Sequence, residues 1–215
     1  FLRNNLCVSV SYVCHDTAAT ISVMTPSACG MSSGINHVST QGELDQALAD
    51  HSDVICIDSD PGVWLSVADS GSSRVVASGS SHVIASGSAR IEAWGCALIE
   101  ARDSARIEAS GSARVIAWDS AHVEASGSSH VIASGSARIE AWGCALIEAR
   151  DSAHVKARDS AHVKAWGSAH VEAWDSSHVV AGKYVAVHQY SQHVTLEAKG
   201  AVIDLTDLND PEVAS

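Results

Sequence analysis

The sequence predicts an all-β fold, a parallel β-helix with a short N-terminal capping helix. The main evidence is an eight-residue unit that occurs fourteen times without a gap from Ser70 to Ala181. Residues 78–105 and 126–153 are identical, so a 48-residue block is itself duplicated. Self-similarity at a short fixed period is typical of solenoid proteins, in which each unit packs on its neighbours.

Each unit predicts one short strand and one corner. Position 4 is Ala or Ser, position 6 is Val or Ile, and position 8 is Ala. Positions 5 and 7, in contrast, are mostly charged residues or His. Such alternation predicts a half-buried strand. Position 2 is always Gly or Asp and position 3 is Ser or Cys, which suits a tight corner. A helix is excluded because a period of eight does not keep a 3.6-residue stripe on one face.

The number of units in one coil is predicted by the spacing that places similar residues above one another. At a spacing of three octads, position 1 gives a row of tryptophans, Trp94, Trp118, Trp142 and Trp166, whereas at two octads every row mixes Ser, Trp and Arg. We therefore expect about 24 residues and three octads per coil. This is a triangular solenoid with about 4.7 coils in the perfect repeats, fourteen units divided by three.

A helix is predicted ahead of the repeats. Thr40 is a candidate N-cap, and Glu43 three residues later completes a capping box. Leu44, Ala47 and Leu48 form one apolar face, which we expect to cover the open end of the core. The apolar run at 54–57 then predicts a buried strand.

The chain divides into five segments on this basis. They are a poorly defined N-terminal segment (1–37), the helical cap with the first strands (38–69), the fourteen-octad solenoid (70–181), a degenerate final coil (182–206) and an acidic tail (207–215). The first residues are a poor signal peptide, and no apolar run approaches the roughly 20 residues of a membrane span. The sequence thus predicts no membrane span and leaves the location of the protein undetermined.

Charge and cysteine content exclude several classes of function. The net charge is −12, but residues 70–181 hold ten Lys and Arg against twelve Asp and Glu and are nearly neutral. Because a nucleic-acid-binding protein normally has a basic face, we expect no nucleic-acid partner. Six cysteines occur without CxxC spacing or a zinc-site pattern, and Cys96 and Cys144 occupy equivalent unit positions as small residues and not as a disulfide pair. No cofactor is predicted.

The unit W/S/R-G/D-S-A/S-H/R-V/I-x-A resembles an octapeptide-repeat group of bacterial and bacteriophage-encoded β-solenoid proteins. The preceding TQGELDQALAD and DVICID and the closing YVAVHQYSQHVTLEAKGAVIDL are also similar to the ends of such proteins. The resemblance covers roughly residues 38–206. It implies a β-solenoid of phage or bacterial-surface context and supplies no catalytic residues.

Two columns of outward residues are candidate binding sites. Trp94, Trp118, Trp142 and Trp166 are expected to form an aromatic stripe for sugar rings or a protein partner, or else to pack at the corners on one another or on Arg. Glu100, Glu124, Glu148 and Glu172 are expected to form an acidic column beside them. Paired carboxylates can hydrolyse glycosides, but catalysis needs one singular pair in contrasting environments, and these repeat identically.

Histidine occupies position 5 in seven of the fourteen units. A coil of three octads would stack His130, His154 and His178 in one column, a candidate site for zinc, nickel or copper. Leu98 and Leu146 at equivalent unit positions favour a solvated surface without metal. Dense stacking of imidazoles also predicts lower stability in acid, because neighbouring charged rings repel one another.

The sequence therefore predicts a non-catalytic structural or adhesive scaffold, a phage virion or bacterial surface component that presents outward side chains to a protein or glycan partner. The alternative is a carbohydrate-binding or carbohydrate-processing β-helix that uses the tryptophan row and the glutamate column. Oligomeric state is not predicted.

Overall fold

The structure is a computed structural model and describes residues 35–206. Within that range it contains one helix of nine residues and twenty strands of four residues each. In chain order they are β1 Ile35–Val38, α1 Gln41–Ala49, β2 Val54–Ile57, β3 Trp64–Val67, β4 Arg74–Ala77, β5 His82–Ala85, β6 Arg90–Ala93, β7 Leu98–Ala101, β8 Arg106–Ala109, β9 Arg114–Ala117, β10 His122–Ala125, β11 His130–Ala133, β12 Arg138–Ala141, β13 Leu146–Ala149, β14 His154–Ala157, β15 His162–Ala165, β16 His170–Ala173, β17 His178–Ala181, β18 Ala186–Gln189, β19 Thr195–Ala198 and β20 Ala201–Asp204.

The strands form two parallel sheets, which confirms the β-solenoid. Sheet A has eleven strands in the order β1-β2-β4-β6-β8-β10-β12-β14-β16-β18-β20. Sheet B has nine strands, from β3 through the odd-numbered strands to β19. Successive octads alternate between the two sheets, so the chain returns to the same sheet after two octads.

The prediction of three octads per coil is wrong, because the coil contains two. Arg90 pairs with Arg106, and His122 pairs with Arg106 on one side and Arg138 on the other. The reason lies in the corner: the N–H of Ala89 donates to the carbonyl of Ser86 at 3.0 Å, which closes a β-turn. Such a turn reverses the chain, so two corners complete a coil. The fourteen octads form seven coils (fourteen divided by two), with two flat faces and not three.

Position 2 of the octad has a left-handed backbone, which explains its restriction to Gly and Asp. Gly87 has φ of 57° and Asp103, one coil later, also has φ of 57°. Gly reaches this region without steric penalty, and Asp is among the few other residues that tolerate it. The Asp103 carboxylate also accepts a hydrogen bond from the Gly87 N–H at 3.2 Å, so aspartate links two coils through the corner.

The core is a single narrow layer between the sheets. The inward residues at positions 4, 6 and 8 are almost all fully buried, as in Ala105, Ile107 and Ala109. The outward residues at positions 5 and 7 are half-buried or exposed through most of the repeats. Small and β-branched side chains fill this thin space, as the composition of the octads predicts.

The predicted helix is confirmed as α1 with its capping box. The Thr40 side chain accepts a hydrogen bond from the Glu43 N–H, and the Glu43 carboxylate accepts one from the Thr40 N–H. Leu44 and Ala47 are buried. The run at 54–57 is strand β2, also as predicted. Among residues 35–206, no helix combines the length and apolar content that a membrane crossing needs.

The irregular residues after Ala181 form three strands, β18, β19 and β20. Strand β18 pairs with β16 and β20 in sheet A, and β19 pairs with β17 in sheet B. Strand β20 is exposed along its length. The predicted acidic tail, 207–215, and nearly all of the segment 1–37 lie outside the described residues.

Candidate functional site

The structure places the four predicted tryptophans on opposite edges of the solenoid, so they do not form one row. Trp94 and Trp142 begin turns from sheet A to sheet B, which we call the A-to-B edge (turns beginning at 78, 94, 110, 126, 142, 158 and 174). Trp118 and Trp166 begin turns from sheet B to sheet A, the B-to-A edge (turns beginning at 70, 86, 102, 118, 134, 150 and 166). Because the coil has two octads, residues that are three octads apart lie on opposite edges.

The indoles of the B-to-A edge stack on arginines of the preceding coil. The Arg102 guanidinium carbon lies 5.2 Å from the ring centroid of Trp118, and that of Arg150 lies 6.0 Å from Trp166. These distances are within the range of a cation–π contact, which contributes about 0.5–1 kcal/mol at exposed sites. Corner packing, the second expectation for these tryptophans, therefore accounts for this edge.

The A-to-B edge has the same packing at its C-terminal end. Trp174 lies under Arg158 at 5.2 Å, and its ring stacks on Tyr190 at 4.5 Å with an interplanar angle of 5°. Trp174 was not among the predicted site residues. Trp174 lies one coil, or two octads, after Arg158 and one coil before Tyr190. This spacing in the sequence identifies the stack.

A notch of about 190 Å³ lies between Trp94 and Trp142 on the A-to-B edge. Ser110 and Ser126 occupy the two intervening corners, so their small side chains leave the space open. Three coils separate the two indoles, a distance of about 14 Å at about 4.8 Å per strand. Trp94 is 42% exposed. The notch is a surface on which a ring-shaped ligand can stack.

The predicted glutamate column is also divided between the sheets. Glu100 lies on β7 and Glu148 on β13 in sheet B, whereas Glu124 on β10 and Glu172 on β16 lie in sheet A. The structure instead brings together four consecutive glutamates on the outer face of sheet A, which the sequence reasoning missed. They are Glu92, Glu108, Glu124 and Glu140, each paired in register with the next. Glu92, Glu108 and Glu124 line the notch beside the tryptophans.

Glu92 is held by an arginine one coil earlier. Arg74 Nε and Nη2 donate to the two carboxylate oxygens at 2.5 and 2.6 Å. This bidentate hydrogen bond is the largest cause that lowers the Glu92 pKa, with burial opposing it. A general acid of a glycosidase needs a raised carboxyl pKa, so Glu92 is unsuited to that role.

The predicted histidine column is wrong as well. His154 lies on sheet A, whereas His130 and His178 lie on sheet B, three coils apart. The actual cluster lies on sheet A, where the His170 ring is 5.5 Å from that of His154 and 4.4 Å from that of His188. Within residues 35–206, no three His, Cys, Asp or Glu side chains are placed to bind a metal ion together.

Cys96 and Cys144 occupy corresponding corners on the A-to-B edge, three coils or about 14 Å apart. This separation prevents a disulfide between them, since bonded cysteines have Cα atoms within about 7 Å. Both are half-buried at the corner and so lie outside the core.

Stability should fall in mildly acidic solution because of His170. Burial is the largest cause that lowers its pKa, followed by His188 and His154, while Glu172 raises it. A lowered pKa means that the unfolded chain binds the proton more tightly, so this stability is fully present above the unfolded pKa of about 6.5 and is lost as the pH falls from there through the lower pKa of the folded state. We expect a lower Tm at pH 5.5 than at pH 8.

The matched variants for this pH effect are His170→Gln and His130→Gln. His170→Gln should reduce the Tm difference, whereas His130→Gln should preserve it because Arg114 and Leu146 flank His130 in register. Equal midpoints for the unmodified protein at the two pH values would contradict the prediction.

Comparison of the chain with protein-family models, curated protein sequences and solved structures gave no match.

Proposed function

We propose that the protein is a non-catalytic scaffold, structural or adhesive, that presents repeated outward side chains to a surface partner. One observation carries this proposal: from Ser70 to Ala181, every octad forms the same turn and strand, and no longer loop interrupts them. Outward groups therefore recur at a fixed spacing, as a multivalent surface requires, whereas catalysis requires a singular site. The octapeptide resemblance supports a phage virion or bacterial surface context for such a scaffold.

Incubation with bacterial surface polysaccharides tests the scaffold proposal. Beads coated with the protein should be retained on the polysaccharide or on intact cells, while reducing ends and polymer length stay constant over many hours. Progressive shortening of any polymer would contradict a non-catalytic role. Failure of the beads to bind cells or any polysaccharide would argue against adhesion.

We also propose that α1 is the N-terminal cap of the solenoid. Strand β3 is the first strand of sheet B, so its outer edge has no strand partner among the described residues of that sheet. Gln41 at the start of α1 occupies this edge: its Oε1 accepts from the Ser66 N–H at 2.7 Å and its Nε2 donates to the Ser66 carbonyl at 3.0 Å. Satisfying edge groups in this way prevents pairing with another chain.

A second candidate function is carbohydrate binding at the Trp94–Trp142 notch. Trp118, Trp166 and Trp174 each pack against a guanidinium group, and Trp174 also stacks on a tyrosine ring. Within residues 35–206 the indoles of the notch make no contact of this kind, and this observation favours a ligand there. Beside them, Glu108 and Glu124 offer acceptors for sugar hydroxyl groups. If these carboxylates also hydrolysed the bound sugar, the protein would be a carbohydrate-processing β-helix.

The opposite edge supplies a control for the sugar site. The double variant Trp94→Ala/Trp142→Ala should lose binding on a glycan array, whereas Trp118→Ala/Trp166→Ala should retain it. Equal loss in both variants would indicate a general effect on stability, and no binding by the unmodified protein would reject the site. Release of reducing sugar would separate processing from binding.

A further inference from the structure

A surface groove with a volume of about 920 Å³ lies on the outer face of sheet A. It crosses five successive strands of that sheet, β4, β6, β8, β10 and β12. Because each outward position stacks on the same position of the next coil, the groove is lined by repeated chemical groups at the strand spacing of about 4.8 Å. A ligand that fits it has to be extended and periodic.

A column of basic side chains, three arginines and one histidine, runs along the groove. Arg90, Arg106, His122 and Arg138 follow one another in register on β6, β8, β10 and β12. Arg74 at the start is held by Glu92. Arg90, Arg106 and Arg138 are exposed, and in the described part of the chain none has a carboxylate within 4 Å. Three guanidinium groups thus remain available to an anionic ligand.

The basic column is flanked by serine hydroxyls on one side and by carboxylates on the other. On one side are corner hydroxyls of position 3, such as Ser104 and Ser120. On the other side are Glu108 and Glu124 of the glutamate column. Carboxylates accept hydrogen bonds and repel anions, so the ligand has to present hydroxyl donors toward the glutamates and negative groups toward the arginines.

We propose that this groove binds an extended acidic polysaccharide, one whose sugars carry carboxylate groups. Each uronic acid unit has a carboxylate for one guanidinium and hydroxyl groups for the adjacent glutamate and serine. The spacing of the coils is close to the length of one pyranose unit in an extended chain, so successive sugars meet successive coils. The inference rests on the proposed scaffold function and specifies what the scaffold holds.

A nucleic acid fits the same groove less well. Single strands bind where aromatic side chains stack on the bases along a basic groove. Among the described residues, the groove lining contains no Trp, Tyr or Phe, and the glutamate column would face phosphates that have no hydrogen to donate. The chain as a whole also carries a net charge of −12, which opposes a polyanion that lacks specific contacts.

The opposite face provides a matched control for the test. Arg114 occupies the same octad position as Arg106 and is also exposed, but it lies on β9 in sheet B. We would compare Arg90→Gln/Arg106→Gln with Arg114→Gln, because both changes remove guanidinium charge from the surface of the same fold. Circular dichroism and thermal melts check that each variant is folded.

The experiment measures binding of oligogalacturonate by titration calorimetry at constant salt. The double variant should bind at least about tenfold more weakly, because it loses two charged hydrogen bonds to the ligand. Arg114→Gln should bind within about twofold of the unmodified protein, because surface changes away from a site have small effects. No binding by the unmodified protein, or equal weakening in both variants, would overturn the proposal.

Two further probes decide the class of ligand. Neutral dextran and a single-stranded oligonucleotide of matched charge should both bind more weakly than oligogalacturonate. Equal binding of dextran would overturn the need for anionic groups, and equal binding of the oligonucleotide would overturn the sugar assignment. The scaffold proposal fails separately, if the oligogalacturonate is bound and shortened.

Discussion

Ile107→Ala is expected to destabilise the protein by about 2–5 kcal/mol, the usual range for truncation of a buried isoleucine. Ile107 is 1% exposed and lies inward between Ile91 and Val123 on the neighbouring strands. The narrow core offers few side chains that can move into the vacated space. Urea denaturation would measure the change as a shift of the midpoint at a constant m value.

Ile116→Ala is the control for this prediction. Ile116 follows in the next octad but occupies position 7 and points outward from sheet B, half-buried. Its truncation removes less buried surface and should cost about 1 kcal/mol or less. Equal losses in the two variants would mean that positions 6 and 7 do not differ in burial, contrary to the alternation that defines the octad.

The second large effect is expected at the corner. Asp159 has φ of 55°, its carboxylate accepts from the Gly143 N–H at 3.0 Å, and its own N–H donates to the Asp175 carboxylate at 3.1 Å. Asp159→Val should cost about 2–4 kcal/mol, because a β-branched residue is strained in this backbone region and one hydrogen bond between coils is lost.

Asp159→Gly separates the two causes. Glycine removes the same carboxylate but adopts positive φ freely, so the loss should stay within about 1 kcal/mol. Thermal melts of both variants against the unmodified protein measure the difference. Similar losses for valine and glycine would show that the hydrogen bond, and not the backbone conformation, restricts position 2.

Much of the local structure could be predicted from the sequence because it depends on residues close together in the chain. Alternation at positions 4 to 8 determines which side chains point inward, so Ile107 and Ala109 could be placed in the core before the sheets were known. The restriction of position 2 to Gly or Asp indicates a special backbone at the corner. Thr40 and Glu43 define the start of α1 through bonds within a single turn.

The number of octads in a coil could not be predicted in this way. Inward residues are nearly the same in every octad, so they fit any spacing. The outward residues were assumed to stack like on like, but the structure stacks Arg102 on Trp118 and Arg158 on Trp174. A cation over an indole is favourable. At position 1, complementary residues at a spacing of two octads were therefore the relevant signal, whereas positions 5 and 7 also stack identical residues at that spacing, as in Arg90 with Arg106 and Glu108 with Glu124.

The error in the coil explains the changes in the candidate site. A spacing of three octads joins residues from alternate sheets, as in Trp94 and Trp118 or in Glu100 and Glu124. With a coil of two octads, Glu108 joins Glu124, and Arg90 joins Arg106. The groove on sheet A depends on these neighbours, so it becomes visible only when the correct spacing is used.

The spacing of the coil is tested most directly by cross-linking of engineered cysteine pairs. Glu108→Cys/Glu124→Cys places the two thiols two octads apart on adjacent strands of sheet A, about 4.8 Å between backbones. Glu100→Cys/Glu124→Cys places them three octads apart on opposite sheets. With a short bis-maleimide and peptide mapping by mass spectrometry, we predict an intramolecular cross-link between the introduced cysteines of the first pair and none between those of the second. A cross-link in the three-octad pair without one in the two-octad pair would contradict the two-octad coil.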